Sequence, residues 1–169
     1  MTTSSAAVVA DRLERAREAA ASVPDPELPV LTVADLGVLR DVAVEGERVT
    51  VTITPTYSGC PAMHAMREDI ERALAAVGFR DVDVRTVLSP PWTTDWISED
   101  GRRKLEEYGV APPGPVRSGS QVVPLSLSVR CPQCGSPDTR ELSRFGSTAC
   151  KSLWSCNACR EPFDQVKAI

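Results

Sequence analysis

The chain has 169 residues, of which 42% are hydrophobic and 25% are charged, with a net charge of −4 and six cysteines. This length accommodates one medium-sized domain and a small module, and no segment approaches the roughly 18 consecutive apolar residues of a membrane span. Because no clustered basic face is visible, nucleic-acid binding is disfavoured. Without a secretory signal at the start, we expect a cytoplasmic protein, whose cysteines favour metal or reactive-thiol roles over disulfides.

The first elements are a helix and two strands. Residues 9–23 place apolar side chains at helical spacing, and the three prolines of VPDPELP end this helix. Alternating valines over residues 38–44 and 49–53 predict two strands, joined by a hairpin turn at Gly46.

A second helix and a third strand follow. Residues 63–77 form an apolar stripe at helical spacing, with Gly78 as the predicted C-terminal cap. The next strand should turn Val82, Val84 and Leu88 toward the sheet. The order helix, strand, strand, helix, strand predicts a small α/β sandwich of about 80 residues, which is large enough to fold alone.

Beyond the sandwich, Ser98 is a predicted N-cap of a short helix that ends near residue 110. We interpret this helix as an extension laid over the sandwich, followed by a segment rich in proline and glycine. The predicted organisation is an assembly-type α/β domain with its extension (8–110), a linker (111–121) and a small β-rich module (122–169).

The last module is marked by the pairs CPQC and CNAC, which comprise Cys131, Cys134, Cys156 and Cys159. Two residues between thiolates direct both sulfurs to one metal, and four thiolates predict a closed, structural zinc site. The 21 residues between the pairs slightly exceed the usual zinc spacing of about 15–20. A metal would also explain how so short a segment becomes ordered.

The expected module is a zinc ribbon with short strands at residues 122–129 and 161–166. Iron in a rubredoxin-like site is the alternative to zinc. Cys150 is left over, and spacing alone leaves it as a buried thiol, a substitute ligand or a redox-exposed residue.

The stretch TYSGCPAMH places Cys60 directly before a proline and the second helix, with the single histidine, His64, one turn later. Helix N–H groups and the helix dipole favour a thiolate at this position, and a protonated His64 would add positive charge. The alternative is a thiol that packs under the helix beside a solvated histidine. A Cys–His hydrolase is disfavoured because no third residue orients the histidine.

Two stretches, DPELPVLTVADLGVLRDV (residues 25–42) and TPTYSGCP (residues 54–61), resemble the iron–sulfur assembly domain of SufT-like proteins and their eukaryotic cytosolic counterparts. With FGSTACKSLWSCNACREPFD (residues 145–164), nearly the whole chain resembles the PaaD (PaaJ) family of bacterial phenylacetyl-CoA epoxidase systems. One departure is that Gln165 and Val166 stand where the family leads us to expect an aromatic pair.

The resemblance implies an accessory protein without turnover of its own, which matures or maintains a metal centre, with the [2Fe–2S] cluster of the reductase as the first candidate. Its implied partners are the oxygenase and reductase subunits and the iron–sulfur assembly machinery. It also makes Cys60 the candidate functional thiol, with Asp25 and Glu27 as a neighbouring acidic pair. The loop around this thiol would be shaped by Thr56, Ser58 and Gly59.

One thiolate cannot hold an iron–sulfur cluster, which normally takes four protein ligands. Either two chains share a transient cluster as a homodimer, or Cys60 lends one ligand during transfer, or it only directs the assembly machinery. Asp25 and Glu27 have a structural alternative as caps of the following turn. The alternative function is a structural adaptor, in which the zinc ribbon and the segment containing Trp92 and Trp96 dock oxygenase subunits.

Overall fold

A computed structural model describes residues 4–57, 59–114 and 129–169, with side chains from residue 7 onward. Its contacts divide the chain into two compact units, Met1–Trp92 and Thr93–Ile169. Among the described residues, no helix combines the length and the apolar composition needed to cross a membrane.

The first unit follows the predicted order of helix, strand, strand, helix, strand. Its elements are α1 (Ser4–Ala21), β1 (Leu39–Glu45), β2 (Arg48–Ile53), α2 (Ala62–Ala76) and β3 (Asp81–Thr86). The mixed α/β class predicted from the periodicity is therefore confirmed for this unit.

The sheet of the first unit has the order β1–β2–β3. β2 pairs antiparallel with β1 and parallel with β3, so α2 is the crossover between two parallel strands. The successive pairs Leu39–Ile53 and Asp41–Thr52 leave Arg40 as an extra residue, which forms a β-bulge in β1.

The core of the first unit takes side chains from both helices and all three strands. In α2 the predicted stripe is buried at Met66, Ile70 and Leu74. The prediction that Leu88 faces the sheet is wrong, because its side chain is exposed, and so is Val9 at the start of the apolar spacing in α1. Residues 7–11 of α1 are all exposed, and β3 ends at Thr86, so its alternation no longer directs Leu88 toward the sheet.

The end of α2 confirms the predicted glycine cap. Gly78 has a φ of +99°, and its N–H donates to the carbonyl of Ala75 at 3.1 Å. The N–H of Phe79 donates to the carbonyl of Leu74 at 3.0 Å. These two bonds form a Schellman motif. Its left-handed backbone conformation is one that glycine adopts without strain.

Among its described residues, the second unit contains a short 3-10 helix (Thr94–Trp96), α3 (Glu99–Glu107) and three strands. The strands β4 (Thr139–Ser143), β5 (Lys151–Cys156) and β6 (Pro162–Val166) form one antiparallel sheet in chain order. β6 confirms the strand predicted after the second cysteine pair. The strand predicted before the first pair falls mostly on residues 122–128, which lie outside the described residues.

The short helix, which the sequence assigns to the first domain, is α3, and its contacts place it in the second unit. Ser98 is its N-cap as predicted, because its Oγ accepts the N–H of Gly101 at 2.9 Å.

Ala111, the first residue of the predicted linker, is buried and pairs with β6 through backbone bonds to Asp164 and Val166 at 2.8 and 3.1 Å. Residues 115–121 of that linker lie outside the described residues.

Candidate metal centre and thiol site

Cys60 lies in the connection between the end of β2 and the start of α2. Pro61 already has helical dihedral angles (φ −66°, ψ −23°), and the N–H of Met63 donates to the carbonyl of Cys60 at 3.3 Å. Cys60 therefore lies at the N-terminus of α2, beyond the carboxyl end of the parallel strand β2. In open α/β sheets, ligands bind beyond the carboxyl ends of the strands.

Asp25 organises the turn that follows α1. Its side chain is buried, and Oδ1 accepts the N–H of Glu27 at 2.8 Å and that of Leu28 at 2.7 Å. Its own N–H donates to the carbonyl of Leu31 at 2.8 Å. Asp25 therefore caps the turn of DPELP, as the structural alternative predicted, while lying close enough to Cys60 to affect the pKa of its thiol.

The environment of Cys60 raises the pKa of its thiol, and burial is the largest cause. The residue is only 8% exposed. The backbone N–H of Ala62 and the Thr56 side chain hydrogen-bond to the sulfur and lower the pKa, whereas the charges of Glu27 and Asp25 raise it. The favourable effect of the helix start is thus present, but burial and the two carboxylates outweigh it. The structure therefore favours the protonated thiol over the thiolate expected from the helix start alone.

These interactions bring together Cys60, Thr56, Asp25 and Glu27, from two segments that are distant in sequence. Sequence reasoning missed Ala62, although the first N–H after a Cys-Pro pair at a helix start is a natural partner for the sulfur. Gly59 is exposed with a φ of +85°. Its left-handed backbone suits glycine and supports its predicted part in shaping the loop.

Two other predicted site residues do not join this group. The side chain of His64 is 83% exposed, and its Nε2 lies 3.4 Å from Oε1 of Glu68, one turn further along α2. The prediction that His64 assists the thiol is therefore not supported by its position. Ser58 lies outside the described residues.

The four cysteines of the second unit come together as a metal site. Their Sγ atoms all lie within 4.8 Å of one another. Sγ of Cys131 is 3.7 Å from that of Cys159, and Sγ of Cys134 is 3.6 Å from that of Cys156. Tetrahedral zinc with Zn–S bonds of about 2.3 Å requires S···S separations of about 3.8 Å, so this donor set fits the metal.

The two cysteine pairs have the same backbone design. In the first, the N–H of Gly135 donates to the carbonyl of Cys131 at 2.8 Å, and the N–H of Cys131 donates to the carbonyl of Ser136 at 3.0 Å. In the second, Arg160 and Cys156 make the equivalent bonds to Cys156 and Glu161 at 3.1 and 3.0 Å. Both turns end in a left-handed residue, with φ of +71° at Gly135 and +68° at Arg160.

The backbone of the second turn also prepares a thiolate. The N–H of Cys159 donates to Sγ of Cys156 at 3.5 Å, and this contact is the main cause that lowers the pKa of Cys156 to about 7. Burial opposes the shift, and the N–H of Ala158 adds to it. In the same turn the N–H of Glu161 favours the thiolate of Cys159, but burial and the three other sulfurs raise the pKa of Cys159 to about 12. Since metal ligands must be deprotonated, the backbone prepares Cys156 for binding a cation, whereas Cys159 has to lose its proton to the metal.

Cys150 lies outside the four-sulfur group. It is half-buried, and its Sγ is 3.1 Å from Oγ1 of Thr148. Among the three alternatives for this residue, the position does not favour a substitute ligand.

Comparisons with known proteins agree with this division. Residues 13–86 match the family model described as iron-sulfur cluster assembly protein, and residues 118–167 match the PaaD zinc beta ribbon domain. The chain is thus an iron–sulfur assembly-type domain joined to a zinc ribbon.

A relative that spans both domains identifies the family. The chain is 48% identical over 147 residues to one subunit of the "Putative 1,2-phenylacetyl-CoA epoxidase" of Escherichia coli (strain K12), and the match covers 87% of each chain. The chain therefore belongs to the PaaD family, as the sequence resemblance predicted.

Two further proteins resemble the first domain alone. An Fe-S protein maturation auxiliary factor of Porphyromonas gingivalis is 37% identical over 86 residues, which cover 50% of this chain and 81% of that protein. The crystal structure of a domain of unknown function, DUF59, from Bacillus anthracis has a TM-score of 0.54 at 26% identity, and covers 59% of this chain and 96% of that one.

Proposed function

We propose that this protein is an accessory maturation subunit of a phenylacetyl-CoA epoxidase system, which assists assembly or insertion of the iron–sulfur cluster in the reductase component. The relative that covers 87% of the chain is named as a subunit of that epoxidase. Relatives of the first domain are named as Fe-S protein maturation factors. Joining both relationships in one chain gives an iron–sulfur helper dedicated to one enzyme system.

The observation that carries this proposal is the grouping of Cys60, Thr56, Asp25 and Glu27 at the start of α2. Soft thiolate ligands bind iron in iron–sulfur proteins, and a single thiolate leaves the other positions to a client or a second chain. A single sulfur ligand is suited to transient binding of a cluster, because the four ligands of the client bind the cluster more strongly and can take it over.

In this proposal the resting protein keeps its thiol protected. Burial and the two carboxylates hold the proton on Cys60, so the sulfur is neither charged nor readily oxidised while it waits. Ligation of iron replaces that proton, and the sulfur has to become more exposed when a cluster or client approaches. Transfer should therefore become faster as the pH rises toward the pKa of this thiol.

The ribbon has a structural part in this proposal. Its core consists of Ala111, Trp154 and Phe163 together with the ligands Cys131 and Cys156. Among the described residues this cluster is small and includes two of the metal ligands, so we expect a bound zinc ion to contribute much of the folding free energy. Four thiolates complete a tetrahedron and leave no open position for a reaction at the metal.

The test replaces Cys60 with alanine in the chromosomal copy and measures the [2Fe–2S] content of the purified reductase, by iron and sulfide analysis and by absorption. We expect cluster occupancy to fall several-fold while the variant stays folded. Cys150→Ala is the matched control, since it removes a half-buried thiol outside both sites. Normal occupancy in the Cys60→Ala strain refutes the proposed role of this thiol.

The second candidate function is a structural adaptor that docks oxygenase subunits through the ribbon, and the exposed Phe145 of the second unit favours it. Trp92 does not contribute, because it is buried and its Nε1 donates to the carbonyl of Leu36 at 2.8 Å. For a pure adaptor, Cys60→Ala would be silent, whereas Cys134→Ser would unfold the ribbon and abolish binding to the other subunits.

A further inference from the structure

The connection between β4 and β5, residues 144–150, presents an aromatic side chain to solvent. We call these residues the Phe145 loop. Phe145 is 74% exposed, the highest value among the large hydrophobic residues that the structure describes as exposed. Exposed aromatic side chains on a pre-ordered loop are the usual anchors of protein interfaces.

The backbone of the Phe145 loop is held on several sides. The N–H of Phe145 donates to Oγ of Ser143 at 3.1 Å, and that of Gly146 donates to the carbonyl of Lys151 at 2.9 Å. Just after β6, Nζ of Lys167 donates to the carbonyl of Ala149 at 2.8 Å and lies 4.9 Å from the centre of the Phe145 ring. The backbone of the loop is therefore held in place, and the ring has one cation–π contact, which reduces the entropy lost on binding.

A buried lysine, Lys151, also holds the Phe145 loop in place through a hydrogen bond to one of its side chains. Lys151 is only 5% exposed, and its Nζ donates to Oγ of Ser147 at 3.1 Å, which in turn donates to Oδ2 of Asp164 at 2.8 Å. A Cβ on Gly146 would lie 2.8 Å from Oδ1 of Asp164 and 3.0 Å from Cβ of Lys151, so any larger residue there would displace Asp164 or Lys151. These contacts hold the loop in one conformation, in which the Phe145 side chain is exposed to solvent.

Phe145 forms one wall of a groove of about 560 Å³, together with Val129 and Trp154. This volume lies in the range of about 300–1,000 Å³ that is usual for ligand sites. Among the described residues, Arg144 and Lys167 also line the groove, together with one acidic residue, Glu141. Within the described part of the chain Arg144 makes no ion pair, so no described carboxylate neutralises its charge.

We propose that the Phe145 loop and this groove bind a short acidic segment of a partner protein, with one apolar side chain packed against Phe145 and Trp154. The excess of cationic side chains selects carboxylates, and the aromatic walls select the apolar anchor. The site lies in the ribbon unit and needs nothing from Cys60. It rests on the proposed function only in the choice of partner proteins to be tested.

The test uses the purified oxygenase and reductase components of the phenylacetyl-CoA epoxidase system of the same organism, and 15-residue peptides that tile their sequences. Dissociation constants are measured for the full chain and for Phe145→Ala and Arg144→Glu. Leu88→Ala is the matched control, because it removes an exposed apolar side chain from the other unit. Zinc content and circular dichroism establish that each variant is folded.

We expect an acidic peptide with an apolar residue to bind the wild-type chain and Leu88→Ala equally. Phe145→Ala and Arg144→Glu should each weaken that binding tenfold or more, as should replacing the peptide's carboxylates by amides. The proposal is overturned if neither component nor any peptide binds, if Phe145→Ala binds within twofold of wild type, or if the bound segments are basic. Self-association that depends on Phe145 also overturns it, since the occupant would then be a second copy.

The two proposals fail separately. Cys60→Ala should bind the peptide as the wild-type chain does, whatever its effect on the reductase cluster. If Phe145→Ala has no effect on binding while Cys60→Ala still lowers cluster occupancy, the docking proposal is wrong and the maturation function stands. Binding that depends on Phe145, with normal occupancy in Cys60→Ala, leaves the adaptor function instead.

Discussion

At the scale of single residues, the properties of Cys60 follow from a balance of short-range effects. Hydrogen bonds from Ala62 and Thr56 favour the thiolate, and burial together with Glu27 and Asp25 favours the thiol. The folded protein keeps this proton to a higher pH than the unfolded chain does. This difference stabilises the fold at pH values below the pKa of an ordinary thiol, and the stabilisation is lost as the pH rises through the raised pKa.

The neighbours of Cys60 should shift its reactivity in opposite directions. Glu27→Gln removes a negative charge, so the pKa of the thiol should fall and alkylation by iodoacetamide at pH 8 should become faster. Thr56→Val removes a hydrogen bond to the sulfur, so the pKa should rise and alkylation should become slower. Peptide mass spectrometry of the zinc-loaded protein measures both rates. Equal or slower alkylation of Glu27→Gln would contradict the assigned electrostatics.

Asp25 should be important for stability as well as for the thiol. Asp25→Ala leaves two N–H groups without their acceptor, and we expect a loss of about 1–2 kcal/mol in the free energy of unfolding. Asp25→Asn keeps a side-chain oxygen and should lose less than half of that amount. Urea unfolding of the three proteins provides the measurement, and an unchanged midpoint for Asp25→Ala would show that the cap contributes nothing.

At the scale of elements, the first unit was largely predictable because its helices and strands have strong periodicity and clear ends. Met66, Ile70 and Leu74 have the spacing of a buried stripe, and Gly78 marks the end of the helix. Leu88 was misplaced because alternation does not show where a strand stops. Arg40 forms a bulge that no local pattern announces, since the register depends on the partner strand.

The ribbon was predictable at its ligands but less so between them. β4 consists of Thr139–Ser143, TRELS, in which no side chain is buried, so it lacks the alternation that reveals a strand. β6 is predictable because it contains the apolar residues Phe163 and Val166, and both are buried in the structure. In the thiol site, the motif located Cys60 and its acidic neighbours. The outward direction of His64 and the rise in the thiol pKa depend on tertiary packing, which sequence spacing does not contain.

The two cysteine turns predict a backbone effect on metal affinity. Gly135 has a φ of +71°, and a Cβ there would meet nothing within 4 Å, so Gly135→Ala tests backbone strain alone. We expect a cost of about 1–2 kcal/mol, seen as a roughly five- to thirtyfold weaker zinc affinity. Arg160→Gly should relieve the same strain in the second turn and bind zinc at least as tightly. Competition with a chromogenic chelator measures both, and unchanged affinity for Gly135→Ala would contradict the account.

At the scale of the whole molecule, the chain has two compact units. The first holds the buried thiol of Cys60, and the second holds the site of four cysteines. The described core of the second unit includes two metal ligands, Cys131 and Cys156, whereas the core of the first unit is built mainly of aliphatic side chains from five elements. Their stabilities should therefore respond differently to loss of metal.

Removing the metal should unfold one unit and leave the other folded. After treatment with a strong chelator, we expect amide hydrogen exchange to become fast in β4, β5 and β6 and to stay slow in β1, β2 and β3. Mass spectrometry of peptides from both sheets reports this difference directly. A single transition in which both sheets lose protection together would contradict independent stabilisation.

The most direct test of the central claim is cluster formation on the purified apo-reductase, followed by absorption in the presence of the iron–sulfur assembly machinery. The zinc-loaded wild-type chain should accelerate the appearance of the [2Fe–2S] cluster, and Cys60→Ala, with equal zinc content, should give only the rate seen without the chain. Equal acceleration by the two proteins would contradict the claim that this sulfur assists maturation.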